Sequence, residues 1–198
     1  MAPRTPEQNE KIREQRSQSI INAALKLFAE NGVANTSISQ IAKEADTSKG
    51  LIYNYFSGKR DLLHNVIQEG MEKMPLDMPA PQTKMQARQQ LELTLDQMHE
   101  LAVEGKLFWK FYAELLFQLV RNEELSKEFE DEFNLFIDFF TTLLDCMDYP
   151  DPQINGRILA AKLDGILLHG LYYDNYPTKQ IFEQIKKTYL TDETNEHQ

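Results

Sequence analysis

At 198 residues, with 41% hydrophobic and 26% charged side chains, the chain has the make-up of an ordinary globular protein with room for one larger domain or two small ones. Its single cysteine, Cys146, excludes an internal disulfide and a cysteine-rich metal centre, and no apolar run approaches the ~20 residues of a membrane span. The net charge of −10 is unevenly spread: residues 1–70 hold nine Lys/Arg against eight Asp/Glu, so the acidity falls on the remainder. The N-terminal part therefore keeps a local field that tolerates phosphate.

In chain order, the first segment is polar, with two prolines and mixed charges, and predicts a flexible arm over residues 1–14. No apolar stretch follows its first residues, so no signal peptide is visible and a cytoplasmic location is the expectation. Arg4, Lys11, Arg13 and Arg16 offer cations to phosphates or a minor groove. Glu7, Glu10 and Glu14 dilute them, so a merely solvated arm fits equally.

From Arg16 to Asn31 the apolar residues Ile20, Ile21, Ala24, Leu25 and Phe28 recur at helical spacing. Asn31-Gly32 is a stop signal, because glycine adopts the left-handed conformation without a steric cost. Ser37 with Gln40 three residues on forms a capping-box pattern, and Ile38, Ile41, Ala42 and Ala45 then supply one face of a short second helix. Thr47 or Ser48 caps a third helix that runs to Phe56, with Ile52 and Phe56 facing the core. Ser57-Gly58 breaks it, and a fourth helix begins at Lys59 with Leu62, Leu63, Val66 and Ile67 as its stripe. Two short helices separated by a tight turn have the layout of a helix-turn-helix, whose second member enters the major groove. This domain is assigned to residues 15–60.

Three prolines between Met74 and Pro81 mark a linker. Beyond it, helices are predicted near 84–104, 106–121, 124–147, 153–174 and 178–190. Pro150 and Pro152, and then Tyr176-Pro177, punctuate them. No alternating strand pattern or internal repeat is visible. The fold class is all-α, a three-helix N-terminal domain followed by a larger helical bundle over 61–198.

The stretch from Ile20 to Ile67 resembles the N-terminal DNA-binding domain of the TetR/AcrR family of transcriptional regulators. The resemblance rests on Ala24-Leu25-Lys26-Leu27-Phe28-Ala29-Glu30-Asn31-Gly32, on Thr36 through Ala45, on Ser48-Lys49-Gly50-Leu51-Ile52-Tyr53-Asn54-Tyr55-Phe56, and on Lys59-Arg60-Asp61-Leu62-Leu63. Asp46 stands at a turn position where the family commonly has glycine, and Thr47 where it often has a small apolar residue. Asp tolerates the left-handed conformation better than most residues, so the turn survives.

The resemblance implies a homodimer that binds a pseudo-palindromic operator and releases it when a small-molecule effector binds the C-terminal bundle. The DNA-reading set is then Ser37, Thr47, Ser48, Lys49, Gly50, Leu51, Tyr53, Asn54, Tyr55 and Lys59. The chemistry agrees: Lys49 can reach a phosphate or a guanine edge, and Gly50 lets the helix approach the backbone. The hydroxyls of Ser37, Thr47 and Ser48 lie at helix N-termini, where N–H groups favour phosphate. Leu51 suits a thymine methyl and Asn54 an adenine edge. Tyr53 is assigned to DNA, whereas Tyr55 fits a phosphate contact or a core aromatic equally.

In the bundle, aromatic residues crowd two helices, and most of them are core. Phe108, Trp109, Tyr112, Leu116, Phe136, Phe140 and His169 are the candidates for an effector pocket, which the family commonly has. The resemblance implies that the last two long helices form the dimer interface, through Ala161, Gly165, Leu168, Tyr172, Ile181 and Ile185. Ligand binding would move the helix near Asp61–Met71 and change the separation of the two reading heads.

No cofactor, metal or membrane contact is expected. Catalytic motifs are missing: no Gly-x-Ser-x-Gly, phosphate loop or zinc signature occurs, and His64, His99, His169 and His197 are far apart. The competing reading is a helical small-molecule-binding module whose helix-turn-helix no longer binds DNA.

Overall fold

The computed structural model describes residues 5–74, 76 and 78–191; the expectations that touch Arg4, Pro75 and His197 lie outside these. Among the described residues every regular element is a helix, and none is long and apolar enough to cross a membrane. The chain divides into two compact units. The first holds residues up to Met71 together with Lys110–Leu115, and the second holds Glu72–Trp109 and the chain from Leu116 onward.

The first unit is built from α1 (Pro6–Asn35), α2 (Ile38–Glu44), α3 (Lys49–Tyr53) and α4 (Lys59–Glu72), of which the last residue already counts with the second unit. Of the flexible arm expected over 1–14, residues 1–4 lie outside the described residues, and from Pro6 onward the chain is helical. Thr5 caps it: the Thr5 hydroxyl accepts from the Gln8 amide at 3.3 Å, and the Gln8 side chain accepts from the Thr5 amide at 3.1 Å. Pro6 occupies the first turn, where its missing N–H costs nothing.

The predicted stop at Asn31-Gly32 is real. Gly32 has φ 76° and ψ 157°, which breaks the helical path inside α1 and is open to glycine without strain. The freed carbonyl is used at once. Thr36, 2% exposed, donates its hydroxyl to Gly32 O at 2.8 Å. Ile20, Ala24 and Phe28 of α1 then bury against Ile41, Ile52, Leu62 and Leu63, none more than 2% exposed. The domain boundary expected at residue 60 is displaced to Met71, because the α4 stripe of Leu62, Leu63, Val66 and Ile67 is spent in this core.

The second unit holds α5 (Lys84–Glu104), α6 (Lys106–Arg121, apart from the turns assigned to the first unit), α7 (Glu123–Glu128), α8 (Glu130–Cys146), α9 (Pro152–Tyr172) and α10 (Thr178–Leu190). Helices α5, α8, α9 and α10 pack on one another around Leu91, Leu95, Met98, Phe140, Leu144, Leu159 and Leu163, all fully buried. The single helix expected over 124–147 is two, α7 and α8. Between them Phe129 leaves helical geometry (φ −106°, ψ 13°) and buries its ring completely.

Candidate functional site

The turn between α2 and α3 sets the geometry of the site. Ser37 caps α2 with its hydroxyl on the Gln40 amide at 3.3 Å, and the Gln40 carboxamide returns to the Ser37 amide at 2.8 Å. Asp46 takes φ 47°, so the turn does require the left-handed conformation. Thr47 then donates its amide to Ala42 O at 2.8 Å, which closes α2. Of the two capping candidates, Ser48 caps α3: its hydroxyl accepts from the Leu51 amide at 3.1 Å. Lys26 of α1 donates to Glu44 of α2 at 2.6 Å, and that hydrogen bond, with charge attraction, holds Lys26 above the ordinary lysine range.

One face of this assembly is open. Ser48, Lys49, Gly50, Tyr53 and Asn54 are exposed, and Leu51 is half-buried. Tyr53 leaves 57% of its surface free, large for an aromatic ring, whereas Ile52 on the opposite side is fully buried. Among the described residues Lys49 has no carboxylate partner. A Cβ on Gly50 would meet only the Ser48 hydroxyl, at 3.9 Å, so nothing within the chain requires glycine there. The first turn of α3 therefore presents an unpaired cation beside a bare stretch of backbone, the combination that suits a phosphate or a base edge.

Two sequence-predicted members sit differently. Tyr55 is half-buried, tilted on Phe56 with ring centroids 6.3 Å apart, and the Arg13 guanidinium lies over its ring at 5.9 Å. Lys59 is a correction. Its ammonium donates to Val33 O at 2.7 Å, Thr36 O at 2.9 Å and Ala34 O at 3.2 Å, so all three donors close off the end of α1. The sequence could not show this, because the acceptors are backbone carbonyls 23 to 26 positions away.

In the second unit, Phe136 meets Phe140 edge-on at 4.9 Å, and Phe108 meets Trp109 edge-on at 5.2 Å. Phe140 and Trp109 are buried, and the Trp109 indole donates to Leu101 O at 2.8 Å. Leu116 is half-buried, and Tyr112 belongs to the turns counted with the first unit. His169 does not join the aromatic pairs. It is exposed, with Nδ1 3.3 Å from the Tyr176 hydroxyl and its ring edge-on to Tyr173.

Sequence reasoning missed a polar stripe on α5. Gln90 Oε1, Thr94 Oγ1 and Gln97 Oε1 are buried without a hydrogen-bond partner, at helical spacing i, i+4 and i+7. The Gln90 amide nitrogen donates to Pro79 O at 2.9 Å, which leaves the oxygen as the open acceptor. Gln97 also lines a cleft of about 360 Å³ with Glu72, Lys73, Met74, Glu100, Leu101 and Glu104. A search for buried polar residues on one helix face is the signal that would have found it.

Along α9, the candidate interface residues Ala161, Leu168 and Tyr172 are exposed and Gly165 is half-buried. Ile154 and Ile158, exposed as well, extend the row, so it runs 154, 158, 161, 165, 168, 172 in alternating steps of four and three. On α10, Ile181 is half-buried, but Ile185 is a correction: only 6% exposed, it packs inside its own unit. Among the described residues no cluster of His, Cys, Asp or Glu is arranged to hold a metal.

The family model described as bacterial regulatory proteins, tetR family, matches residues 20–66, which holds this whole open face. The chain is 44% identical over 69 residues to the HTH-type transcriptional regulator HbdR of Aromatoleum sp. (strain CIB), covering 35% of this chain and 30% of that one. It is 26% identical over 180 residues to the uncharacterized HTH-type transcriptional regulator YfiR of Bacillus subtilis (strain 168), covering 86% and 87%. In three dimensions it is similar to Salmonella enterica GusR, with a TM-score of 0.70 at 19% identity over 89% of this chain and 95% of that one. It is also similar to the fatty acid degradation regulator FadR of Bacillus halodurans, with a TM-score of 0.68 at 18% identity over 98% of this chain and 100% of that one. The match marks residues 20–66 as a tetR-type domain, and the likeness to these solved structures shows that the chain shares their all-helical fold along nearly its full length.

Proposed function

We propose that the protein is a homodimeric repressor that holds a pseudo-palindromic operator through α3 and is released by a small molecule bound in its second unit. The observation that carries the reading is the state of Lys49. It sits in the first turn of the helix that would enter the groove, exposed and unpaired, with Tyr53 and Asn54 one turn on. Lys49 and Tyr53 open on the same side of this short helix, so a cation and a hydroxyl can meet phosphates together.

The row on α9 supports the second copy. Its four-three spacing is that of a helix seam packing on another helix. A Cβ on Gly165 would meet nothing within 4 Å, so the chain's own packing gives no reason for glycine there. Close approach of a partner helix supplies one. A two-fold dimer carries two copies of α3 and reads two half-sites.

For the effector we assign the α5 stripe. Three buried acceptors without partners are costly unless something donates to them, each by roughly 1–3 kcal/mol. A ligand bearing hydroxyl, amide or ammonium donors satisfies them, and an apolar body fits the aromatic side chains of the bundle. Release follows if that ligand binds the DNA-incompetent conformation more tightly than the other. The protein then acts where its operator is, in the cytoplasm, and it needs no catalytic chemistry.

The test is binding to duplexes enriched from a random pool by the wild-type protein. Log affinity should fall with log salt by about 0.9 per phosphate contact. Lys49→Ala should weaken binding at least tenfold and flatten that slope. A helical module that has lost DNA binding would enrich no duplex at all.

A further inference from the structure

The first three turns of α1 serve no part of the core. Residues 5–16 are all exposed, and burial begins in earnest only at Ile20. Yet this extension is a capped helix, fixed at its start by the Thr5–Gln8 capping box. It is also anchored sideways: the Arg13 guanidinium lies 5.9 Å over the ring of Tyr55, which directly follows the recognition helix and its C-cap residue. Both residues belong to the first unit, and the contact places Arg13 over Tyr55, two residues beyond the end of α3.

Its charges are sorted by face. At 100° per residue, Arg13 and Arg16 fall in line with Ile20, Ala23 and Ala24, the side turned toward the other helices of the head. Glu7, Glu10 and Glu14 group roughly 120° away round the axis. Among the described residues neither Arg13 nor Arg16 has a carboxylate partner. Elsewhere in the chain Lys26, Lys127 and Lys186 each do. A guanidinium held over an aromatic face by charge–quadrupole attraction does not spend its N–H donors on that contact, so they stay available to a second partner.

We infer that this helical extension is a second DNA-binding element, in which Arg13, held by Tyr55, and Arg16 bind backbone phosphates flanking the bases read by α3. The inference rests on the DNA-binding reading above. It gives Tyr55 a definite part: its ring is the platform that aims Arg13.

The experiment uses the full-length protein and the duplexes it enriches from a random pool, each made in a long form and a form trimmed to the half-sites. Arg13→Gln with Arg16→Gln should weaken binding to the long duplex ten- to a hundredfold. The salt slope should drop by about 0.9 per lost contact, about 3.6 for two arginines on each of two protomers. Trimming should weaken the wild type but leave the double variant unchanged. An unaltered salt slope in the double variant overturns the inference even if affinity falls, since that pattern means that Arg13 only steadies Tyr55. If Lys49→Ala loses binding while the double variant keeps wild-type affinity, the α3 reading stands and this one fails. Wild-type protein that binds no duplex overturns both. A thermal melt of each variant separates lost contacts from a lost fold, and Arg13→Lys, which keeps the charge, should recover most of the slope.

Discussion

Gly156 of α9 lies so close to Thr141 of α8 that a Cβ there would sit 2.4 Å from the Thr141 hydroxyl and 3.0 Å from its backbone nitrogen. The hydroxyl is a side-chain atom at a rigid position, and the nitrogen cannot move without the helix. Gly156→Ala should therefore push the two helices apart and cost about 1–3 kcal/mol, the usual penalty for overpacking. A denaturant titration on purified protein checks it; an unchanged midpoint would show that the crossing is looser than described.

The same crossing predicts a gain. Thr141 is 7% exposed, and its Oγ1 has no hydrogen-bond partner. Thr141→Val keeps the shape and removes a buried unsatisfied hydroxyl, so it should raise stability by about 1 kcal/mol. A lower midpoint for this variant would mean that the hydroxyl is satisfied in solution, for instance by a bound water.

Lys59 separates structure from DNA contact. Its ammonium supplies three hydrogen bonds to the carbonyls that end α1. Lys59→Met should cost about 1.5–3 kcal/mol, as expected for hydrogen bonds from a charged donor. Salt dependence of duplex binding should stay as in the wild type, measured below the variant's melting temperature. A flatter slope would return Lys59 to the DNA-reading set.

These residues also show how far the sequence could be read. Helices α5 and α6 begin and end where the sequence puts them, because Thr83, Gly105 and Asn122 are local signals that do not depend on the rest of the fold. The exposed face of α3 was legible for the same reason, since Ser48 starts the helix and the buried Ile52 fixes which side turns inward; the helix expected to run to Phe56 stops at Tyr53, and Phe56 is buried beyond its end. The helical extension was missed although its signal was present. Thr5, Pro6 and Gln8 spell out a cap, but the polar make-up of the segment outweighed it. The break at Phe129 had no such signal, since neither glycine nor proline marks it. The fate of Lys59 and the burial of Ile185 depend on segments distant in sequence, which no local pattern encodes.

Asp46 tests the turn itself. With φ 47° it holds a conformation that costs an L-residue up to about 1–2 kcal/mol, less for Asp than for most. Asp46→Gly removes that strain but enlarges the unfolded ensemble, for a net gain of about 0.5–1 kcal/mol. Asp46→Val, β-branched and without a local hydrogen bond to offer, should lose at least as much and loosen duplex binding by misplacing α3. Equal melting temperatures for the two variants would show that the turn relaxes away from the left-handed region.

Gly165 offers the cleanest test of the α9 seam. A side chain there meets nothing within 4 Å of its own chain, so Gly165→Leu should leave the folded protomer intact and even favour the helix, since glycine in a helix interior costs about 1 kcal/mol. Against a second copy the same leucine is in the way. It sits midway along the row from Ile154 to Tyr172, at the point where two helices crossing there approach most closely. Sedimentation velocity should show a dimer for the wild type and a monomer for Gly165→Leu, with unchanged circular dichroism. Duplex binding should fall with it, because a single reading head makes only half of the phosphate contacts and halves the salt slope. A Gly165→Leu protein that remains dimeric would move the interface off this face of α9 and leave the exposed isoleucines Ile154 and Ile158 to be explained by some other contact.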